Sequence, residues 1–296
     1  MLIPIALALS AQAVAAPSAA APAPSDGSTS EIVVQGTRVS KEQIRNFVDS
    51  VTRVPYGGQI SRFHAAACPS SIGLSDALNA AVVERMRRVA AAAGIRVASA
   101  PCKPNVFLIV TRDKRAAIDA LAKQYPTYFD GMSSKDVRDL ELSPAPAIAW
   151  QVKSRLTADG DLLEKPAGRD YYRVEGTFNP SRIRTSSMPT FVASLVVVDI
   201  KAADGLTTTE LADYAAMRTF AATDPERVVS TGVPTILSVL GQPDDKPMPV
   251  TLTYWDLGLL KALYSTDNAY YARYQRGDME RVVREELERS GAADRN

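Results

Sequence analysis

Two kinds of hydrophobic spacing alternate along the chain, and they predict most of its elements. Ile44, Phe47, Val48 and Val51 recur at helical spacing behind Ser40-Lys-Glu-Gln43, whose serine and glutamine can close a capping box, so a first amphipathic helix is predicted there. Ser75 can cap a longer helix running to Ala93, with Leu78, Val82, Met86, Val89 and Ala93 in one stripe and Gly94 as its stop. The basic cluster Arg85, Arg87 and Arg88 then falls on a solvated helix surface. Asn105-Val-Phe-Leu-Ile-Val-Thr111 is a continuous apolar run, which predicts a strand buried on both faces. A helix from Lys114 to Gln124, a short helix from Ser133 or Ser134 and a strand over Ala147–Val152 follow. Residues 157–169 read as a hairpin-like loop, and Tyr171–Gly176 and Thr190–Ile200 as two more strands. Thr207-Thr-Thr-Glu210 is another capping box, and it opens a helix to about Ala222. The last helix, Gly277 to Ser290, offers Met279, Val282, Val283 and Leu287 for burial and the pairs Glu280–Arg284, Arg281–Glu285 and Glu285–Arg289 to solvent.

The N-terminal end has a different texture. Met1–Ala15 is apolar but too short to span a bilayer, and it ends in Ala13-Val14-Ala15, a small-x-small cleavage pattern, so it reads as a signal peptide. Residues 16–30 form an Ala/Pro/Ser-rich tether with too little apolar surface to order itself. Glu31-Ile-Val-Val-Gln-Gly-Thr-Arg38 is similar to the start of the mature region in TonB-dependent outer-membrane receptors, but no barrel pattern follows, and the segment reads as a short strand or an unstructured stretch. No later run reaches about eighteen apolar residues, so the mature protein is not expected to span a membrane. Cys68 and Cys102 fit export as one disulfide, which would contribute roughly 3–4 kcal/mol by closing its loop.

Charge and composition remove several function classes. The 34 basic and 33 acidic residues nearly cancel, so no net field attracts nucleic acid, and none is expected as a partner. With His64 as the one histidine, no Cys/His zinc site can be assembled, and His64 itself reads as structural. The chain has no Gly-x-Ser-x-Gly elbow, no P-loop and no strand-borne Gly-x-Gly-x-x-Gly.

The order of elements from Phe191 onward resembles the catalytic half of the zincin metallopeptidases, and a family of bacterial exported proteins with a degenerate zincin-type domain. The residues that carry this are the strand Ser194–Ile200, the helix with Thr209-Glu-Leu-Ala-Asp213, the turn Val233-Pro-Thr-Ile-Leu-Ser238 at the place of a Met-turn, and Leu252-Thr-Tyr-Trp-Asp-Leu-Gly-Leu-Leu-Lys-Ala-Leu-Tyr264. The resemblance implies a zincin-like α+β domain over residues 31–290, with a mixed sheet packed against the two long helices. An active zincin needs two imidazoles one turn apart with a carboxylate between them. Those positions here are Thr209, Glu210 and Asp213, and Leu237 stands at the methionine of the turn.

The resemblance therefore implies an exported, non-catalytic pseudo-metallopeptidase without a cofactor, periplasmic or secreted. It would bind a peptide, an envelope component or a partner protein in a relic cleft formed by Thr209, Glu210 and Asp213. The rival readings are a hydrolase using Glu210 and Asp213 with an unusual metal or none, and a structural envelope protein. Glu210 is expected to serve as a cap, Asp213 to pair with a nearby arginine such as Arg182, Arg184 or Arg218 or to accept bonds from backbone, and a calcium site of Glu210, Asp213 and Asp199 remains a further alternative.

Overall fold

Short polar side chains start the helices by accepting orphan backbone amides. In a computed structural model, which describes residues 39–52, 54, 58–166, 171–174, 180–241 and 248–293, Ser40 caps α1 (Lys41–Val51) and Ser75 caps α2 (Asp76–Ala92). Asp113 caps α3 (Lys114–Gln124) and Ser133 caps α4 (Ser134–Leu142). Thr207 caps α5 (Thr208–Phe220), Asp224 caps α6 (Pro225–Val229) and Thr253 caps α7 (Tyr254–Ser265). The last helix, α8, covers Ala272–Ala293 and so exceeds the predicted Gly277–Ser290 at both ends. The signal peptide, the tether and the Glu31–Arg38 segment lie outside the described residues.

β1 (Arg62–Phe63), β2 (Pro69–Ile72), β3 (Val106–Thr111), β4 (Ala147–Thr157) and β5 (Ser187–Asp199) form one five-stranded sheet. β5 is its spine. It runs parallel to β3 from Val106↔Ser194 to Thr111↔Asp199 and parallel to β1 at Arg62↔Thr190, while β4 pairs antiparallel along its other edge. β2 lies parallel outside β3, reached through α2. The sheet is mixed as the sequence predicts, but parallel pairs with a helical crossover dominate it. The architecture is therefore a mixed α/β one rather than a separation of helices from strands.

Alternation along the strands gives the sheet two covered faces. Val106, Leu108 and Val110 of β3 with Val196 and Val198 of β5 pack toward Val82, Met86 and Val89 of α2 and toward α5. Leu195 and Val197 turn the other way, with Ile148, Trp150 and Val152 of β4, onto Ile118 and Phe129. β3 is covered completely on the first face only: Phe107 and Ile109 stay half-buried, so the expectation of burial on both faces is corrected. The turn from β2 into α2 presses on this strand too. Gly73 has φ +100°, and a Cβ there would lie 1.8 Å from the carbonyl oxygen of Val110, so only glycine fits. Cys68 and Cys102 are bonded and tie the start of β2 to the approach of β3.

Other expectations need correction. The described residues 171–174 form no strand, and β4 pairs directly with β5. Leu78, assigned to the buried stripe of α2, is 45% exposed because it lies in the first turn, ahead of the residues that face the sheet. On α8 the Arg281–Glu285 pair is present, but Arg289 turns to Glu286, a nearly buried carboxylate that also holds Lys261 of α7 at 2.7 Å.

Candidate functional site

α5 is buried on all sides, with Leu211 through Phe220 each almost inaccessible. A helix so enclosed has to satisfy every polar side chain within the protein. Thr219 does so locally, donating to Ala215 O at 2.7 Å. Asp213 is satisfied from outside its helix: Arg85 Nε donates to Oδ1 at 2.6 Å and Arg85 Nη2 to Oδ2 at 2.7 Å. Thr251 Oγ1 and Leu252 N donate to Oδ2 at 2.8 Å each, and Arg85 Nη2 also reaches Thr251 Oγ1. Asp213 is completely inaccessible to solvent, and the bond to it holds the Arg85 guanidinium above its ordinary range against the opposing effect of burial.

This corrects two sequence expectations. The partner of Asp213 is Arg85, not Arg182, Arg184 or Arg218, and the cluster Arg85–Arg88 is not simply a solvated surface. Arg85 bridges α2 to α5, while Arg87 Nη2 donates to Ala98 O at 2.6 Å. The other two peptidase-equivalent positions are ordinary. Glu210 closes the capping box: its Oε2 accepts from Thr207 N and Thr207 Oγ1 at 2.7 Å, and Glu210 N donates to Thr207 Oγ1 at 3.2 Å. Thr209 is half-buried beside it. Asp199 bonds Lys201 N at 2.9 Å, and among the described residues no three His, Cys, Asp or Glu side chains gather as a metal cage. With both Asp213 oxygens already bonded, the calcium alternative has no donor set.

A cavity of about 760 Å³ does lie against α5, but on the neighbouring face. The helix contributes Tyr214 and Arg218, one turn apart. Ile148 and Ala149 of β4, Val229 of α6, and Leu237 and Leu240 of the short 3-10 turn Ile236–Leu240 supply apolar wall. Thr209, Glu210 and Asp213 do not line it. Comparison with protein-family models, curated proteins and solved structures found no match. The chemistry of this face therefore rests on its own residues. Arg218 Nη1 donates to the Tyr214 hydroxyl at 2.6 Å, and burial pushes the Tyr214 phenol above its ordinary range, so it stays protonated. Sequence reasoning passed over Tyr214 and offered Arg218 only as a partner for Asp213. The signal available was an arginine inside Ala-Asp-Tyr-Ala-Ala-Met-Arg-Thr-Phe-Ala, a run otherwise small or apolar enough for complete burial.

His64 lies elsewhere, half-buried between Arg62 and Arg96. Asn268 Nδ2 sits 3.0 Å from its Nε2 and donates to Pro189 O, which orients the amide with its N–H toward the ring. Burial, and then the charges of Arg62 and Arg96, push the imidazole down to about 4. Because the folded value is depressed, the stability it confers is complete above the unfolded value near 6.5 and is lost as pH falls toward 4. The expected loss is about 2 kcal/mol once partial exposure is allowed for. His64→Asn is expected to flatten that part of the curve, checked by urea midpoints at pH 7, 5.5 and 4.5. An unchanged slope in the variant removes His64 as its source.

Proposed function

We propose that the protein is an exported, non-catalytic member of the zincin-like proteins, in which the metal-binding position of the helix has become a structural tie and ligand binding has moved to the next face. The observation that carries this is the saturation of Asp213. Its two oxygens receive four hydrogen bonds and no solvent, so the carboxylate is committed to joining α5, α2 and the segment before α7. A hydrolase built on Glu210 and Asp213 would need these carboxylates for water or metal, whereas both Asp213 oxygens and Glu210 Oε2 are spent on structure. The order β5, α5, the turn at Ile236–Leu240, then α7 supports the zincin-like reading. The Cys68–Cys102 bond and the Ala13-Val14-Ala15 pattern support export.

Metal analysis and a hydrolase screen of the purified protein test this directly. The expected result is less than stoichiometric zinc and no peptide hydrolysis with or without added metal. Stoichiometric zinc would sink the reading. Glu210→Gln keeps an acceptor at the third helical position, so its stability is expected to stay within about 0.5 kcal/mol of wild type. A hydrolytic activity abolished by that conservative change would make Glu210 a general base instead of a cap. N-terminal sequencing of exported material is expected to begin near Ala16, and an intact Met1 would count against export.

A further inference from the structure

The cavity beside α5 holds a cation that no described residue neutralises. Arg218 is 7% exposed, and its guanidinium has one partner, the Tyr214 hydroxyl, which is neutral. Its Nε is buried with no acceptor, and among the described residues no carboxylate pairs with it. Tyr214 in turn accepts from Arg218, and among the described residues nothing accepts its own O–H. Every other strongly buried charge described above has counter-groups: Asp213 has Arg85, and Glu286 has Lys261 and Arg289. An unpaired buried guanidinium is strongly unfavourable, and a fold retains one where something else supplies the acceptor.

We propose that this cavity is a binding site for a ligand with one carboxylate on an apolar body. The carboxylate sits on Arg218 and the Tyr214 O–H, and the body lies along Ile148, Val229, Leu237 and Leu240. A guanidinium beside a phenolic O–H presents the parallel donors that suit a carboxylate. The cavity is in the range that encloses small molecules, with a mostly hydrophobic wall and few polar groups. Asp224 and Glu226 also line it, both exposed, and Asp224 is already bonded to Glu226 N at 3.1 Å. Two negative charges on the solvent side oppose phosphate-rich or polyanionic ligands while leaving the buried cation to a single charge. This deepens the binding role proposed above by naming the ligand class. Zinc or hydrolysis would overturn that role without touching the result below.

Calorimetry and thermal melts of the purified protein with octanoate, octylamine and octanol test the charge selection without any variant. Octanoate is expected to bind one to one and raise the melting temperature, with the amine and the alcohol at least about tenfold weaker. N-acetyl-Leu-Leu with a free or an amidated C-terminus then separates the two sources of carboxylate. Tighter binding of the free-acid peptide than of octanoate names a peptide end, and the reverse names a fatty acid. Arg218→Met supplies the second arm. It removes a buried charge while keeping most of the volume, so the unliganded variant is expected to melt at or above the wild-type temperature and to lose octanoate binding. Tyr214→Phe is expected to weaken octanoate about tenfold. Equal binding of octylamine, octanoate binding untouched by Arg218→Met, or no carboxylate bound at millimolar concentration would each overturn the proposal. So would a fall of many degrees in the melting temperature of unliganded Arg218→Met, which would make Arg218 a structural cation.

Discussion

Asp213→Ala is expected to destabilise the protein by about 3–5 kcal/mol, the largest effect of any single substitution in α5 apart from core truncations. The change leaves Arg85 without its bidentate acceptor, the Thr251 hydroxyl without its carboxylate and Leu252 N without an acceptor, all at a place where the carboxylate was wholly buried. The Arg85 side chain keeps 25% exposure, so it can turn partly to water, which places the expected loss toward the lower end of that range. For a chain of this size the melting temperature is expected to fall by about 10 °C. Asp213→Asn is expected to be nearly as damaging, because an amide N–H₂ then faces donors. A double-mutant cycle with Arg85→Met separates the pair from its surroundings. Asp213→Leu combined with Arg85→Met is expected to be clearly less destabilising than the two single changes added together, since no buried charge is left alone. Urea unfolding measures all of these. A loss below about 1 kcal/mol for Asp213→Ala would show that the contact is no more than an exposed ion pair, and it would remove the basis for reading this helix position as structural.

What was legible in the sequence follows the distance over which each device operates. Capping boxes need four consecutive residues, so Ser40 with Gln43 and Thr207 with Glu210 could be read directly, and the starts of α1 and α5 followed, while Ser75 alone marked the start of α2. The tie between Arg85 and Asp213 crosses 128 residues, and a helical wheel for α2 drawn alone puts Arg85 on its wet side. Nothing local indicates that a second buried helix will lie there. Tyr171–Gly176 has β-prone composition, but its described residues 171–174 join no strand, and composition does not provide a partner. The cavity role of Tyr214 and Arg218 was hidden by the peptidase resemblance, which directs attention to Thr209 and Asp213, about 140 degrees around the helix from the cavity pair. Burial of the entire helix is what exposes the difference. Asp213 is matched and Arg218 is not.

The Leu-Thr-x-x-Asp signature at Leu252–Asp256 acquires a physical reason of the same kind. Thr253 is the N-cap of α7 and Asp256 its capping-box partner, receiving Thr253 N at 3.0 Å. The same carboxylate reaches out of the helix: Thr235 Oγ1 donates to Oδ1 at 2.6 Å and Ile236 N to Oδ2 at 2.8 Å. One buried side chain thus caps α7 and fixes the start of the turn that supplies Leu237, Ser238 and Leu240 to the cavity. Complete burial pushes the Asp256 carboxyl above its ordinary range, while the bonds from Thr235, Ile236 and Thr253 pull it back. Asp256→Ala leaves two buried amides and a hydroxyl without an acceptor, so a loss of about 3–4 kcal/mol is expected. Asp256→Asn keeps one acceptor but aims N–H at donors, and it is expected to recover less than half of that loss. Because the turn forms cavity wall, both variants are also expected to weaken octanoate binding, whereas Glu210→Gln, in the comparable box of α5, leaves it unchanged. Hydrogen exchange at Ile236 and Leu237 distinguishes the two consequences. Faster exchange there in Asp256→Asn, under conditions where the rest of the fold stays protected, is the expected result. Uniform loss of protection would mean that Asp256 supports the whole fold and has no particular hold on the turn.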